Sequence, residues 1–369
     1  MKNIERDWNT INGYQESRFG GGEGGIVQDQ EIWQANIPVG LTFGRVLIIG
    51  NTCYVYGDTH TIYSIQLETG TLNWSCNIPE DRLMTFSICG VEGYIVVESY
   101  VIDSNKGEIY ADLRDYTGEL LIAEGEGIAI HGSRVYKQID SIELPGLVLV
   151  FNLDTKDHEV INTGMIGGLM PRNDLIGWKH EEEGYSLSKY SVLNGSLEIL
   201  CRNIGLGTGF TENNLFLNVT EKEIHLFDIE AKKTVWTRST DSISDTINPE
   251  YITGYNFSIC DFTIIISDGK KLSVLNKNTG ETLWLSEIGM AADNNCIVGD
   301  LIYGHHGINQ ENSLYALDKF TGEMVWSNNA DSSWCGAVAK GNKVLYVGVH
   351  GQISCYGWQE PYYSPARPT

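Results

Sequence analysis

The stretch SLYALDKFTGEMVW, residues 313–326, decides the predicted fold because it describes a β-hairpin with a distinctive turn. Its first half alternates in polarity, which is typical of a half-buried strand. Gly322 can adopt the positive φ of a tight turn without steric cost, and the Thr321 hydroxyl can bond back to the backbone. The second strand ends on Trp326, a large apolar side chain with one polar N–H. A lone hairpin is marginal in water, so its meaning depends on copies elsewhere.

Copies of this hairpin occur along the whole chain. LSVLNKNTGETLW (272–284) and IYSIQLETGTLNW (62–74) keep the glycine and the tryptophan, whereas IHLFDIEAKKTVW (224–236) has Lys232 in place of the glycine. Degenerate copies place Ala111, Val160 and Ile199 at the tryptophan position. Trp33 in QEIWQAN resembles a second strand without its first. We therefore predict five structural anchors: Trp33, Trp74, Trp236, Trp284 and Trp326.

The spacing of the copies predicts the architecture. From position 33 to position 326, successive anchor positions are 41, 37, 49, 39, 37, 48 and 42 residues apart. Repeats of about 40 to 50 residues built from four short strands indicate a β-propeller. Long helices are not expected, because no long window shows apolar residues at i, i+3, i+4 and i+7.

The two ends of the chain complement each other. The strands KVLYVGV and QISCYGW, within 343–358, have no tryptophan strand after them, and residues 30–36 would supply it. We predict an all-β, eight-bladed β-propeller of four-stranded blades closed in this way, with seven blades as the alternative. Closure would remove sheet edges that invite aggregation. The predicted domains are a glycine-rich lead-in (1–29), one propeller (30–358) and a C-terminal tail (359–369).

The charge is one-sided, with 25 basic and 48 acidic residues and a net charge of −23. The negative electrostatic field of such a chain argues against nucleic acid or an anionic membrane as a partner and favours a basic protein. The other interpretation is an acidic surface that serves only solubility. No apolar run is long enough to span a bilayer. The first ten residues, MKNIERDWNT, are charged and lack an apolar core, so we expect a cytoplasmic protein.

The segment FGGGEGG satisfies GxGxxG at Gly20, Gly22 and Gly25. A phosphate-binding loop of this kind needs a strand before it and a helix after it, and neither is predicted here. We therefore expect a flexible lead-in and no nucleotide site.

The repeat resembles that of the pyrroloquinoline-quinone (PQQ)-like β-propellers, whose hairpin has the form A-x-D-x-x-T-G-x-x-x-W. Ala316, Asp318, Thr321, Gly322 and Trp326 match it fully, and the resemblance extends over residues 30–358. It implies that each tryptophan docks against the turn of the next blade. The family includes quinone-dependent dehydrogenases and non-catalytic assembly lipoproteins. No vicinal cysteine pair and no basic cluster for the quinone carboxylates are found here, so a quinone enzyme is disfavoured and we expect no cofactor.

Long, variable connections on one side of the predicted blades are the candidate binding face, because binding usually resides in loops on a rigid scaffold. They are acidic and carry aromatic residues of the kind that anchor interfaces. The predicted partner-binding residues are Glu124, Asp140, Glu143, Glu181, Glu182, Glu183, Asp241, Asp245, Tyr251, Asp331 and Trp334.

Histidines form a second candidate site. His60, His305, His306 and His350 fall on predicted turns of neighbouring blades, and imidazoles can bind zinc or a similar metal. Turn histidines are also common without any metal. No hydrolase motif is found.

Two classes of function follow. The first is a non-catalytic scaffold that binds a basic protein, in its sharpest form a cytoplasmic bacterial immunity or inhibitor protein against a toxin. The alternative is a metal-dependent enzyme or small-molecule binder in the propeller channel. The sequence predicts neither the partner nor the oligomeric state.

Overall fold

A computed structural model describes this protein over the following residues: 23–28, 30–37, 45–56, 60–79, 88–118, 121–122, 128–140, 146–171, 174–182, 184–204, 208–212, 214–220, 222–239, 257–260, 262–267, 272–286, 296–305, 314–328, 334–348 and 351–367. The described part is all-β, as predicted, with one short 3-10 helix, η1 (Leu113–Tyr116). No helix among these residues is long and apolar enough to cross a membrane.

The chain divides into two compact units, and the described residues of each form four antiparallel sheets. The first described strand is β1 (Trp33–Asn36), which belongs to the second unit. The sheets of the first unit are sheet 1, β2 (Arg45–Ile49), β3 (Thr52–Tyr56), β4 (Thr61–Gln66) and β5 (Leu72–Asn77); sheet 2, β6 (Ile88–Val91), β7 (Tyr94–Val97), β8 (Tyr100–Asp103) and β9 (Glu108–Asp112); sheet 3, β10 (Leu121–Ile122), β11 (Ile128–His131), β12 (Arg134–Asp140), β13 (Leu147–Asn152) and β14 (His158–Asn162); and sheet 4, β15 (Ile166–Pro171), β16 (Asp174–Glu181), β17 (Gly184–Ser191) and β18 (Ser196–Cys201).

The second unit follows the same plan. Its sheets are sheet 5, β19 (Thr208–Glu212), β20 (Leu215–Val219), β21 (Glu223–Asp228) and β22 (Lys233–Ser239); sheet 6, β23 (Phe257–Ile259), β24 (Thr263–Ser267), β25 (Leu272–Asn276) and β26 (Thr282–Ser286); sheet 7, β27 (Cys296–Val298), β28 (Leu301–His305), β29 (Leu314–Asp318) and β30 (Met324–Asn328); and sheet 8, β31 (Trp334–Lys340), β32 (Lys343–Gly348), β33 (Gln352–Gly357) and β1.

Sheet 8 joins the N-terminal strand to the C-terminal ones. β1 pairs antiparallel with β33, with Trp33 opposite Cys355 and Asn36 opposite Gln352. The isolated tryptophan at position 33 thus lies in a strand at the edge of sheet 8. Strands that follow each other along the chain are antiparallel neighbours in these sheets, except that β10 of sheet 3 pairs with β12 and β1 of sheet 8 pairs with β33.

Three of the predicted anchors dock one sheet onto the next within a unit. In the first unit, Trp74 Nε1 donates to the backbone oxygen of Ser104 in the turn of sheet 2, at 3.0 Å. The indole lies against Gly107 of that turn, where a Cβ would stand 2.5 Å from the ring. Two contacts in the second unit repeat this geometry: Trp236 with Lys277 O (2.7 Å) and Gly280, and Trp284 with Lys319 O (2.9 Å) and Gly322.

A tyrosine takes over this role between sheets 2 and 3. Ala111 occupies the tryptophan position of β9, opposite Val101, but the preceding residue is Tyr110, whose hydroxyl donates to Leu153 O at 2.8 Å. The turn glycine is replaced there by Lys156, which keeps a positive φ of 60° and places its amine 4.0 Å from the Tyr110 ring centroid. A smaller ring in the outer strand therefore leaves room for a side chain in the turn.

Residues 23–28 belong to the second unit and pack within it, whereas the sequence favoured a flexible lead-in. Gly25 exchanges two hydrogen bonds with the buried Tyr303 hydroxyl, and a Cβ on Gly25 would overlap the Trp358 indole. Gly24 accepts a hydrogen bond from the Tyr362 amide of the C-terminal tail. The glycines are needed for close packing, a role that composition does not distinguish from flexibility.

We predict that Gly322→Ala destabilises the protein more than Gly341→Ala. Both glycines have positive φ, so each alanine pays about 1 kcal/mol for the backbone alone. Only Gly322 faces an indole, with 2.7 Å from the added Cβ to Trp284, whereas nothing lies within 4 Å at Gly341. Overpacking should raise the total cost at Gly322 to about 3 kcal/mol. Urea unfolding of both variants measures the difference, and equal losses would contradict the docking role of the turn.

Candidate functional site

The two ends of each sheet differ in their connections. The hairpin between the first two strands and the hairpin between the last two lie at one end, which we call the turn end. The middle hairpin and the connection to the next sheet lie at the opposite end, which we call the loop end. The described members of the predicted binding set lie at loop ends: Asp140 ends β12, Glu181 ends β16 and is followed by Glu182, and Trp334 begins β31. The structure describes few of them.

Glu181 and Glu182 are described at the loop end of sheet 4. Glu181 closes the ladder between β16 and β17, and its carboxylate accepts a hydrogen bond from Arg202 Nη1 at 2.5 Å. This internal ion pair neutralises part of the acidic charge that was predicted for a partner. Glu182 is exposed to solvent.

The other predicted binding residues have little or no structural description. Asp140 is the last residue of β12, and Trp334 is the first of β31. The remaining ones lie outside the described residues: Glu124, Glu143, Glu183, Asp241, Asp245, Tyr251 and Asp331. The acidic binding face therefore stays a prediction.

The histidine site stays a prediction as well. His60 adopts φ 54°, and its backbone oxygen accepts a hydrogen bond from the Ile78 amide. His305 ends β28, whereas His306 and His350 lie outside the described residues. Within the described part of the chain, no three His, Cys, Asp or Glu residues are grouped so that they could hold a metal.

The loop end of sheet 2 carries a polar cluster that the sequence did not indicate. The Asp112 carboxylate caps η1 by accepting from the Arg114 amide at 3.0 Å, and it also accepts from Arg114 Nε at 2.8 Å. The guanidinium lies 4.7 Å above the Tyr100 ring and is hydrogen-bonded to its hydroxyl. Burial, reinforced by the charge of Asp115, raises the pKa of Asp112. These half-buried charges are paired with each other.

Lys137 is the most perturbed basic group among the described residues. It lies on the face of β12 that also carries Val135 and Ile139, and it is 1% exposed. Burial lowers the pKa of its amine to about 8, while the nearby Glu98 carboxylate opposes this shift. Glu98 also adds to the effect of burial in raising the pKa of Tyr56. In the sequence, the alternation of RVYKQID already places Lys137 on the same face of the strand as Val135 and Ile139. Sequence reasoning could therefore have identified Lys137 as a buried residue.

Comparison with known proteins bears directly on the repeat. A family model described as outer membrane protein assembly factor BamB matches residues 268–356. Over residues 268–356 the chain is thus similar to a PQQ-like β-propeller repeat protein. The matched region contains the hairpins that end at Trp284 and Trp326, the copies closest to the family pattern.

Solved structures extend the likeness in fold to most of the chain. BamB from Moraxella catarrhalis is similar with a TM-score of 0.60 and 12% sequence identity, over 90% of this chain and all of that one. The computationally designed protein Ika8 gives a TM-score of 0.58 and 13% identity, over 88% of this chain and all of that one. At such identities the likeness concerns the fold alone. None of the curated proteins matches the sequence.

We predict that the free energy of unfolding rises with pH between about 8 and 10 in the natural protein, relative to Lys137→Met. Burial lowers the pKa of Lys137 from 10.5 to about 8, so the unfolded chain binds this proton more tightly. Stability is therefore gained as the pH rises through this window, by about 3 kcal/mol once the window is crossed. Urea unfolding of both proteins at several pH values measures the difference. A difference that does not change with pH would contradict the burial of a charged amine.

Proposed function

We propose that this chain is a non-catalytic scaffold that binds a basic protein through the acidic loop ends of its sheets. The observation that carries the proposal is the net charge of −23 on a chain built of propeller-type sheets. A field of this sign attracts a positively charged protein and speeds association, while aromatic side chains supply affinity. The name of the similar BamB, an assembly factor, is in keeping with a scaffold.

We also propose that the sheets form an eight-bladed propeller closed by β1. Eight described sheets and the pairing of Trp33 with Cys355 support this arrangement. In such a ring the loop ends of all blades would share one side, and their acidic residues would add to a single field. The anchors Trp74, Trp236 and Trp284 would hold neighbouring blades in fixed positions relative to each other.

The sharper form of the proposal is a cytoplasmic immunity or inhibitor protein that neutralises a basic toxin, as a nuclease inhibitor does. Its support is the acidic charge together with loop connections that vary in length on a repetitive framework. Such a protein needs a large complementary surface and no catalytic group of its own. The basic products of genes next to its own are therefore the partners to test.

We predict that reversing three loop-end charges weakens binding by about tenfold or more. The variant is Glu143→Lys, Glu182→Lys, Glu183→Lys, and the measurement is the Kd for each basic neighbouring gene product, by calorimetry at low and at physiological salt. Affinity of the natural protein should fall as salt rises, because exposed charges are screened.

The matched control places three reversals at turn ends, Glu92→Lys, Glu230→Lys and Glu323→Lys, all at exposed positions. This variant changes the net charge equally, so it separates a local face from a general field. Equal loss in both variants would reduce the proposal to non-specific attraction. Binding that neither variant alters would overturn it.

A further inference from the structure

The outer strand of sheet 3, β14, contains no tryptophan, although the turn of the neighbouring sheet 4 has the geometry of a turn that receives one. The two sheets are neighbours within the first unit, where β11 lies next to β15. Gly195 in the turn of sheet 4 has φ 67°, and its amide donates to Ser191 O at 2.9 Å. The equivalent Gly280, which receives Trp236, has φ 73° and donates to Asn276 O at 2.8 Å. The receiving half of the docking contact is therefore present in sheet 4.

A glutamate takes the place of the tryptophan in β14. In sheet 6, Trp284 lies opposite Val274, next to an irregularity in the ladder. The ladder between β13 and β14 is regular, and Glu159 lies opposite Val150, the residue that corresponds to Val274. Val160, which holds the tryptophan position in the sequence, is shifted by one residue and so faces the other side of the sheet. A carboxylate thus stands beside the turn of sheet 4, where the other junctions have an indole.

The surface over the turn of sheet 4 is open. A Cβ on Gly195 would have one described atom within 4 Å, a tyrosine hydroxyl at 3.6 Å, whereas a Cβ on Gly322 would stand 2.7 Å from the Trp284 indole. Gly195 is exposed, and Leu193 in the same turn is 85% exposed, while Phe320 at the corresponding position of sheet 7 is buried. An exposed leucine beside an uncovered glycine is an apolar surface that one aromatic ring can cover.

Carboxylates from both sheets lie near this turn. Burial raises the pKa of Tyr136 in β12, and the charges of Glu159 in sheet 3 and Asp174 in sheet 4 add to that effect, while Arg134 opposes it. Both carboxylates are therefore close to the same tyrosine at the junction of the two sheets.

A further carboxylate belongs to β18. Lys189 lies 3.4 Å from Glu198 and 3.6 Å from Asp174, so one amine is shared between two acids. Among the described residues at this junction, three carboxylates outnumber the two cations, Lys189 and Arg134. The remaining negative charge is complementary to basic side chains.

We propose that the turn of sheet 4 is a docking site for a tryptophan side chain of a basic protein. The indole would lie over Gly195 as Trp284 lies over Gly322, and lysine or arginine residues next to it would pair with Glu159 and Glu198. Tryptophan is the ring that this chain itself places on three turns of the same kind. A second copy of this chain is a poor occupant, because two chains of net charge −23 repel each other. The site lies at a turn end, so it shares with the proposed function only the positive charge of the partner.

A lysine–tryptophan–lysine peptide, blocked at both ends and fluorinated on its indole, probes the site on the full-length chain. Fluorine NMR observes this indole without background from the tryptophans of the protein. We expect saturable binding that weakens as salt rises, because exposed charges are screened. The glutamate–tryptophan–glutamate peptide should bind about tenfold more weakly or less, since its charges are repelled.

Gly195→Asn separates docking on the turn from general attraction. Asparagine tolerates positive φ, so the turn should keep its conformation while the new side chain takes the space of the indole. Binding of the basic peptide should weaken by about tenfold or more, as expected when a central tryptophan contact is lost. The matched control is Gly50→Asn in the same unit, because Gly50 has φ 57° and a Cβ there would meet nothing within 4 Å. Its binding should equal that of the natural protein.

Glu159→Gln tests the charged part of the site. Removal of this carboxylate should weaken binding of the basic peptide about threefold, the size of one exposed ion pair, and should reduce the dependence on salt. Thermal unfolding verifies that each variant is folded.

Equal binding of the peptide to the natural protein and to Gly195→Asn, or no saturable binding to the natural protein, would overturn the site. Sedimentation tests the alternative occupant: a natural protein that dimerises, with the dimer lost in Gly195→Asn, would show that a second copy covers the turn and would overturn the proposal as well. The peptide needs no contact with the loop ends, so this site and the proposed function can fail separately.

Discussion

The fit of an indole against a turn that has no side chain is the constraint on which the rest of this structure depends. Trp284 illustrates it: the ring N–H satisfies the backbone oxygen of Lys319, and the ring face needs the space that Gly322 leaves free. A buried indole without a partner for its N–H would cost free energy, and a Cβ in the turn would overlap the ring. One contact thus fixes both the distance between two sheets and the register of the hairpin. Because the outer strand of one sheet holds the turn of the next, neighbouring sheets are coupled at their periphery as well as through their cores.

The exception between sheets 2 and 3 shows that the constraint lies in the pair and not in either residue alone. Tyr110 is one position earlier than a tryptophan would be, at the irregularity in the ladder between β8 and β9. Its hydroxyl still reaches the backbone oxygen of Leu153, and Lys156 fills the space that glycine leaves elsewhere. A lysine at positive φ is costly, but its stacking on the ring and its bond to Tyr110 O offset part of that cost. The loss of the tryptophan and the glycine from this repeat therefore does not change how sheets 2 and 3 dock.

The sequence was sufficient to predict the strands, because they depend on local patterns of alternation and turn residues, and the family resemblance implied the docking of the tryptophans. It was insufficient for contacts between distant segments. Nothing in the repeat pattern indicates that the Tyr362 hydroxyl of the tail reaches the Asp318 carboxylate. Likewise, glycines at 24 and 25 have the composition of a flexible segment, and only the tertiary structure shows that Tyr303 and Trp358 require them. The positions of the candidate binding residues are equally hard to predict from the sequence, since loop residues follow no periodicity that fixes where they lie.

The C-terminal tail illustrates how buried charge can specify a structure without adding much stability. Asp300 is 2% exposed and lies 3.7 Å from both Lys319 Nζ and Arg367 Nη1, and its carboxylate also accepts from the Ser364 amide at 3.0 Å. Burying an ion pair costs about as much in lost hydration as attraction returns, so the net gain is small. Leaving Asp300 without the tail would cost more, because its carboxylate would lose one cation and one backbone donor. Tyr362 adds a bond to Asp318 in the turn that receives Trp284. The tail is thus held by its contacts with Asp300 and Asp318, on the sheet whose turn already carries the docking contact.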